Sequence, residues 1–358
     1  MIERLLMIDI VHIKFDLTGF RIIVGLEPLE AKKSIMRKHA LIALMVFGAT
    51  LMNSENLMGQ DPQFSQFYAN PVYLNPAFAG TARCPRFVLG YRNQWPSLPG
   101  SFVTYSASYD QHVEAISGGI GFIAMRDEAG RGVLSTTSFS GIYSYQRPVS
   151  RKFSLKFGVQ ATYSQKALDW SKLTFGDQID SRRGFIFQTQ ETERGGSTGF
   201  FDASAGVLGF SDSFYFGGAV HHINEPNESL ILGTSRLPMR FTGHAGAVLP
   251  IDGKSRSLSE TTISPNILYQ RQADFQQINV GVYLNKGPLV VGAWYRYNDS
   301  FIALVGVQTD VFKVGYSYDL TTSQLTTKSG GSHEVSLTFQ MQCREKRGRF
   351  RTISCPSF

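Results

Sequence analysis

From Arg86 to Met341 the chain repeats with a period of two. Phe153, Leu155, Phe157, Val159, Ala161 and Tyr163 alternate with Ser154, Lys156, Gly158, Gln160, Thr162 and Ser164. One face is apolar and the other polar for about eleven residues, the length a tilted strand needs to cross a bilayer. The same rhythm returns at Val103, Tyr105, Ala107 and Tyr109, at Ile278, Val280, Val282 and Leu284, and at Phe312, Val314, Tyr316 and Tyr318. It closes with Val335, Leu337, Phe339 and Met341. A soluble sandwich also alternates, but its strands are typically about five to six residues long.

Fourteen strands are expected, at 86–95, 101–112, 118–126, 134–147, 153–166, 199–210, 214–223, 239–250, 259–271, 274–285, 288–297, 300–308, 311–319 and 332–342. Twelve or sixteen are the rival counts; an even number is what single-chain bacterial barrels use. With both termini periplasmic, the outward connections include the long stretches 167–198, 224–238 and 320–331, and the inward turns include the short 148–151, 211–213 and 286–287. That asymmetry is the one transmembrane barrels show, with the longer inward turn 251–258 as the exception. The expected fold is all-β, an antiparallel up-and-down transmembrane barrel. The 167–198 connection contains Trp170, Leu173, Phe175, Phe185, Ile186 and Phe187 and is expected to fold over the mouth or into the lumen, narrowing it.

Ahead of the strands the pattern changes three times. Residues 1–35 have mixed charge and no clear period, and read as a start-site artefact or a disordered stretch. Met36 opens a second pattern, with Arg37 and Lys38 before an apolar run from Ala40 to Met52 and a polar stretch to Gly59. This is the build of a secretory signal peptide over 36–59, and its apolar run is too short for a comfortable bilayer span. The third pattern is QDPQFSQFYANPVYLNPAFAG, from Gln60 to Gly80, in which Asn70-Pro71 and Asn75-Pro76 sit among Phe67, Tyr68, Tyr73 and Phe78. Proline removes a donor and restricts the preceding residue, so 60–85 is expected to be extended and kinked rather than helical. Its aromatics need a surface or lumen to dock on.

Composition agrees with a barrel. Charged residues are 18%, with 35 glycines, 27 phenylalanines and 15 tyrosines. A mean hydropathy of -0.10 excludes a polytopic helical membrane protein but not a barrel, whose polar lumen cancels its apolar exterior. The net charge of +7 is partly local. Arg344, Lys346, Arg347, Arg349 and Arg351 crowd a basic tail over 343–358, read as a solvated periplasmic tail that touches a protein or cell-wall partner. No nucleic-acid partner is expected, because no basic, aromatic RNA-recognition signature is present.

No P-loop, GxSxG, HExxH or CxxC occurs, so no catalytic residue and no cofactor is expected and the chain is read as a non-enzyme. Adjacent His221 and His222 would point to opposite faces of a strand; with His244 they are better explained as lumen histidines than as a metal site. Asp110, Asp127, Glu128, Asp177 and Asp180 lie near strand ends, as the surface carboxylates of any barrel do. Three cysteines in a secreted chain leave one unpaired or in an intermolecular bond. Cys84–Cys343 would join the two edges of a closed barrel; Cys84–Cys355 and Cys343–Cys355 compete with it, and the last is favoured because it closes a short loop around the basic tail.

The run from Gln60 to Gly80, followed by YRNQW from Tyr91 to Trp95, resembles the mature amino terminus of the PorP/SprF family, outer-membrane proteins linked to type IX secretion and gliding motility in Bacteroidetes. A fainter likeness extends to the terminal SCPSF. The resemblance implies an accessory component in the outer membrane of a Gram-negative bacterium that assists export or surface anchoring of secreted proteins. Its implied partners are the pathway's secreted or surface proteins, periplasmic lipoprotein and motor components, and the lipid bilayer. On this sequence the expected contacts are Phe67, Tyr68, Asn70, Tyr73, Asn75 and Phe78, with Arg344, Lys346, Arg347 and Arg349 of the tail. The alternative is a channel or transporter for small, hydrophobic molecules, with the amino-terminal segment as its hatch.

Overall fold

The computed structural model describes residues 13–15, 22–24, 61–82, 84–180, 182–191, 195–230, 233–251, 261–322 and 330–341. The chain forms two units, Met1–Leu57 and Met58–Phe358. In the first, Ile13–Phe15 pairs antiparallel with Ile22–Val24. The signal peptide expected over 36–59 and the basic tail, with Arg344, Lys346, Arg347 and Arg349, lie outside the described residues.

The second unit carries the strands β1 (Arg86–Gln94), β2 (Phe102–Val113), β3 (Gly118–Ala129), β4 (Leu134–Pro148) and β5 (Phe153–Leu168). There follow β6 (Ser197–Ser211), β7 (Phe214–His221), β8 (Arg240–Ala247), β9 (Thr261–Gln272) and β10 (Phe275–Lys286). The last four are β11 (Leu289–Arg296), β12 (Ser300–Gln308), β13 (Phe312–Thr321) and β14 (Ser332–Gln340). Each pairs antiparallel with the next, and β14 returns to β1 in a register running from Ser332 opposite Gln94 to Gln340 opposite Arg86. The ring is therefore a closed antiparallel barrel of fourteen strands, the expected number.

The alternation sorts side chains as a membrane requires. Leu89, Tyr105, Phe139, Val159, Val291 and Val305 face outward, and Phe201 is 74% exposed. Ser106, Ser108, Asp110, Ser138, Ser140, Ser164 and Ser317 are buried on the inner face. Apolar groups outside and hydroxyls inside invert a soluble core, and the closed ring leaves no unpaired edge in hydrocarbon. We call the end where β1 starts and β14 stops the near end, and the other the far end. Far-end connections include the long 169–196, 222–239 and 322–331; near-end turns such as 212–213 and 287–288 are tight.

Two expectations are corrected. The amino-terminal segment is not wholly extended: Pro71–Leu74 forms one helical turn (α1) and Pro76–Phe78 a 3-10 turn. Each proline occupies the first helical position, where a missing N–H costs nothing, and each asparagine stays outside the helix before it. Of the two places expected for the 167–198 connection, over the mouth or in the lumen, its described residues do not line the lumen cavities. Ile179–Asp180 and Gly184–Phe185 form a small hairpin, Trp170 stacks on Phe175 at 5.8 Å, and the Trp170 indole donates to the Gly195 carbonyl at 2.9 Å. Phe185, Ile186 and Phe187 are exposed. Within the connection Trp170 and Phe175 find each other, while the lumen is occupied by another part of the chain.

Val159 lies mid-strand on β5 and faces outward. Val159→Arg should lower stability in lipid vesicles by about 2–4 kcal/mol, the cost of a cation on the lipid face near the midplane. Urea unfolding followed by tryptophan fluorescence measures it.

Candidate functional site

Residues 61–82 run through the lumen. Phe64, Ser65, Gln66, Phe67, Tyr68, Asn70, Val72, Leu74, Asn75, Ala77, Phe78 and Ala79 are all buried. The segment crosses from the far end to the near end, and the wall has a matching partner at each level.

At the far end Asp61 lies 2.9 Å from Arg240 and 2.7 Å from His222, whose other ring nitrogen is 2.9 Å from Asp202. Arg240 also donates to the Tyr73 hydroxyl at 2.9 Å and sits over its ring, 4.9 Å from the centroid. The Tyr73 hydroxyl in turn donates to the Pro62 carbonyl at 2.6 Å. His222 lies just beyond β7 with φ of 59°, which turns its ring to the same side as His221. The expected opposite facing fails because the strand stops at His221. Burial of Asp61 raises its pKa, but Arg240 and His222 outweigh that and hold it well below the usual carboxylate range. Burial of His222 disfavours its charge, yet the Asp61 and Asp202 carboxylates raise its pKa to about 9.

Further in, the Glu334 carboxylate accepts from the backbone N–H of Ser65 at 2.6 Å and of Gln66 at 3.1 Å. Arg92 bridges Glu334 and Asp319, each at 3.1 Å, and also donates to the Ser65 hydroxyl. The middle of the segment is held by rings. Phe67 lies 5.1 Å from Trp294, Tyr68 5.7 Å from Tyr215, and Phe78 stacks on His244 at 5.1 Å. The Asn75 amide donates to the carbonyls of Val207 at 3.0 Å and Gly218 at 3.1 Å, while its oxygen accepts from the Ala77 N–H at 2.9 Å. The Asn70 amide donates to the Ser106 hydroxyl at 3.4 Å and accepts from Ser108 at 3.3 Å. At the near end Lys156 and Ser144 donate to the Ala79 carbonyl at 2.5 and 2.7 Å, and the Gly80 N–H donates to Asp110 at 2.7 Å.

Glycines in the wall make the groove. A Cβ on Gly158 would lie 2.3 Å from the Ala77 nitrogen, one on Gly119 2.3 Å from the Ala79 oxygen, and one on Gly206 2.1 Å from the Asn75 side-chain oxygen. Gly80 itself needs its φ of 71° and passes against Gly119. The segment is thus a fitted plug. Above it, at the far end, remains a cavity of about 760 Å³ floored by Asp61, Pro62, Gln63 and Tyr73. A smaller one of about 100 Å³ lies toward the near end beside Tyr68 and Phe78.

The aromatics and asparagines expected as partner contacts are therefore brought together, but their neighbours are the barrel wall. Phe67, Tyr68, Asn70, Asn75 and Phe78 are buried, so they reach an outside partner only if the plug leaves. Cys84 is disulfide-bonded, and Cys343 and Cys355 lie outside the described residues. The chain leaves the plug at Ala82 and enters β1 at Arg86, which places Cys84 at the near-end rim. Among the described residues no three of His, Cys, Asp and Glu group to hold a metal. Sequence reasoning did not single out Asp61, Ser65, Arg92, Asp319 and Glu334. The available signal was that Arg92, Asp319 and Glu334 fall in the inward phase of their strands.

Gly158→Val should push the plug out of its groove, so that a protease cuts within 61–82 and bilayer conductance appears. Gly141→Ala, where a Cβ meets open space, should leave both unchanged. The far-end latch should also respond to pH. The contribution of His222 is full below its ordinary 6.5 and is lost as pH rises through about 9. That of Asp61 is present above 3.8 and is lost in strong acid. Protection of the segment from hydrogen exchange, relative to the intrinsic rate at each pH, should be greatest between these limits, and His222→Gln should flatten the alkaline arm.

Comparison with solved structures gives distant likenesses. The KdgM porin is 11% identical over 71% of this chain and 99% of its own, with a TM-score of 0.34. The Ralstonia pickettii toluene transporter TbuX is 9% identical over 76% and 93%, with a TM-score of 0.44. A Pseudomonas aeruginosa FadL homologue is 11% identical over 74% and 92%, with a TM-score of 0.38. The strand pairing, not these likenesses, establishes the barrel. No curated protein matches the chain. The family model of the type IX secretion system membrane protein PorP/SprF matches residues 56–339, spanning the plug and nearly every strand, and the chain belongs to that family.

Proposed function

We propose that the protein is an accessory outer-membrane component of type IX secretion that assists export or surface anchoring by binding partners, and that it is not an enzyme. The observation that carries this reading is the plug. A lumen occupied from end to end by the protein's own fitted segment leaves its loops and rims as the working surfaces, and fold alone does not make a barrel a pore. At the far end, taken as the outside, the exposed Phe185, Ile186 and Phe187 offer an apolar grip for a secreted partner. At the near end the tight turns and the region of Cys84 face the periplasm, where lipoprotein and motor components of the pathway would meet them.

The channel reading draws on the cavity beside Tyr68 and Phe78, whose lining includes Val290, Leu304 and Val314. It requires the plug to move, whereas the partner reading does not. Deleting the gene should deplete exported or surface-retained proteins from the culture medium and cell surface, as read by comparative proteomics. The channel reading predicts instead that deletion lowers uptake of a small apolar molecule and leaves the exported proteome as it was. An unchanged exported proteome would overturn the proposal.

A further inference from the structure

The plug stops short of the far mouth, and the vestibule above it is unbalanced in charge. Among the described residues its lining cations are Lys166, His222, Arg240 and Arg296, and each is already committed to a carboxylate. Arg240 holds Asp61 at 2.9 Å, His222 lies 2.7 Å from Asp61 and 2.9 Å from Asp202, Lys166 holds Glu228 at 3.0 Å, and Arg296 holds Asp299 at 3.1 Å. A fifth lining carboxylate, Asp127 of β3, is the remainder. It accepts from the Thr104 hydroxyl at 2.6 Å, and the charges that act on it are two more carboxylates, Asp61 and Glu128. A half-buried carboxylate among like charges costs free energy that an incoming cation recovers. The wall nearby also lacks a donor. Asp202 is 7% exposed and its Oδ1 has no partner, and the Ser204 hydroxyl, on a residue 3% exposed, has none either. Both residues line the same space, and a carboxylate oxygen can only accept, so the missing group is a donor.

The space itself limits the ligand. About 760 Å³ holds a drug-sized molecule or a few residues of chain, not a folded domain. Thr136 and Ser138 on β4, with Thr162 and Ser164 on β5, line it at every second position. That spacing, about 6.6 Å along a strand, equals the two-residue repeat of an extended peptide. Toward the mouth, Phe102 is the next inward residue after Thr104, which lies opposite Asp127, and its ring is 6.1 Å from that of Trp95. These rings offer the stem of a long cationic side chain a face to lie on while its head reaches Asp127. An acidic ligand would find every lining cation taken, and a neutral one would leave Asp127 uncompensated. We propose that the vestibule is the docking site for an extended segment of an exported partner, and that an arginine or lysine of that segment seats its charged head on Asp127. The inference deepens the proposed function and rests on it for the source of the segment and for the far end as the outer face.

The test uses the whole protein in lipid nanodiscs and capped pentapeptides of the form Gly-Ser-X-Ser-Gly, with X arginine, citrulline or glutamate, titrated by calorimetry at low salt. The arginine peptide should bind, its neutral citrulline counterpart about tenfold more weakly, and the glutamate peptide not at all. Asp127→Asn, which can still accept from Thr104, should weaken the arginine peptide by the same factor, while Glu128→Gln on the outer face should leave it unchanged. Equal binding of the arginine and citrulline peptides to the unaltered protein would overturn the proposal. So would binding of a single capped arginine as tightly as the pentapeptide, because no extended segment would then be read. In cells, Asp127→Asn supplied to the deletion strain should deplete exported or surface-retained proteins as the deletion does. A normal exported proteome with Asp127→Asn, where the deletion itself loses export, overturns the docking site and leaves the accessory role standing. An unchanged proteome in the deletion strain overturns that role, and with it the exported partner as the source of the segment.

Discussion

Hydrocarbon supplies no hydrogen bonds, so every backbone amide of a spanning sheet must find its partner within the sheet, and that forces β14 back onto β1. Closure then dictates the rest. It turns one face of each strand toward lipid, which selects the outward Phe, Tyr, Val and Leu side chains, and it creates a lumen that is sealed from the bilayer. Whatever fills that lumen must satisfy the polar groups of the inner face or leave them to water.

The wall is not uniform in how it meets that demand. On the side of β2 to β6 the inner face presents hydroxyls and small residues, and the plug backbone comes close enough there to need Gly119, Gly158 and Gly206. On the side of β7 to β12 the inner face carries an apolar cluster among its polar groups, with Tyr215, Leu268, Tyr283, Trp294 and Ile302 packed on Phe67, Tyr68, Leu74 and Phe78. The plug is thus bonded through its backbone on one flank and packed through its rings on the other. The buried charges sit where neither is enough: Arg92, Asp319 and Glu334 hold the Ser65–Gln66 backbone, and Asp61, Arg240, His222 and Asp202 hold the leading end. Removing one member of such a group strands the others as unpaired buried charge, which is costly, so these residues act as a unit.

This arrangement changes what the Gln60–Gly80 stretch means. Read along the chain, its exposed-looking aromatics ask for a partner; in the fold they have one, and it is the same molecule. The conspicuous Asn-Pro steps serve geometry. Each starts a short helical turn, and those turns bring Asn75 to carbonyls of β6 and β7 and Ala77 against Gly158. The surfaces left for other proteins are the ones with no partner of their own, above all the aromatic tip of the 167–198 connection.

The sequence by itself determined the strands, their number and which side chains face lipid, because a period of two is a local property that bilayer thickness stretches to a recognisable length. It also marked the plug as unusual and its aromatics as needing cover. Tertiary structure decided what local pattern cannot encode. The lumen, not a partner, covers the plug; His222 leaves the strand alternation because β7 ends at His221; and Trp170 of the long aromatic loop finds its partners, Phe175 and the Gly195 carbonyl, within the loop. The first of these depends on contacts between residues more than a hundred positions apart, such as Asp61 with Arg240 or Ser65 with Glu334, and only the closed ring brings them together.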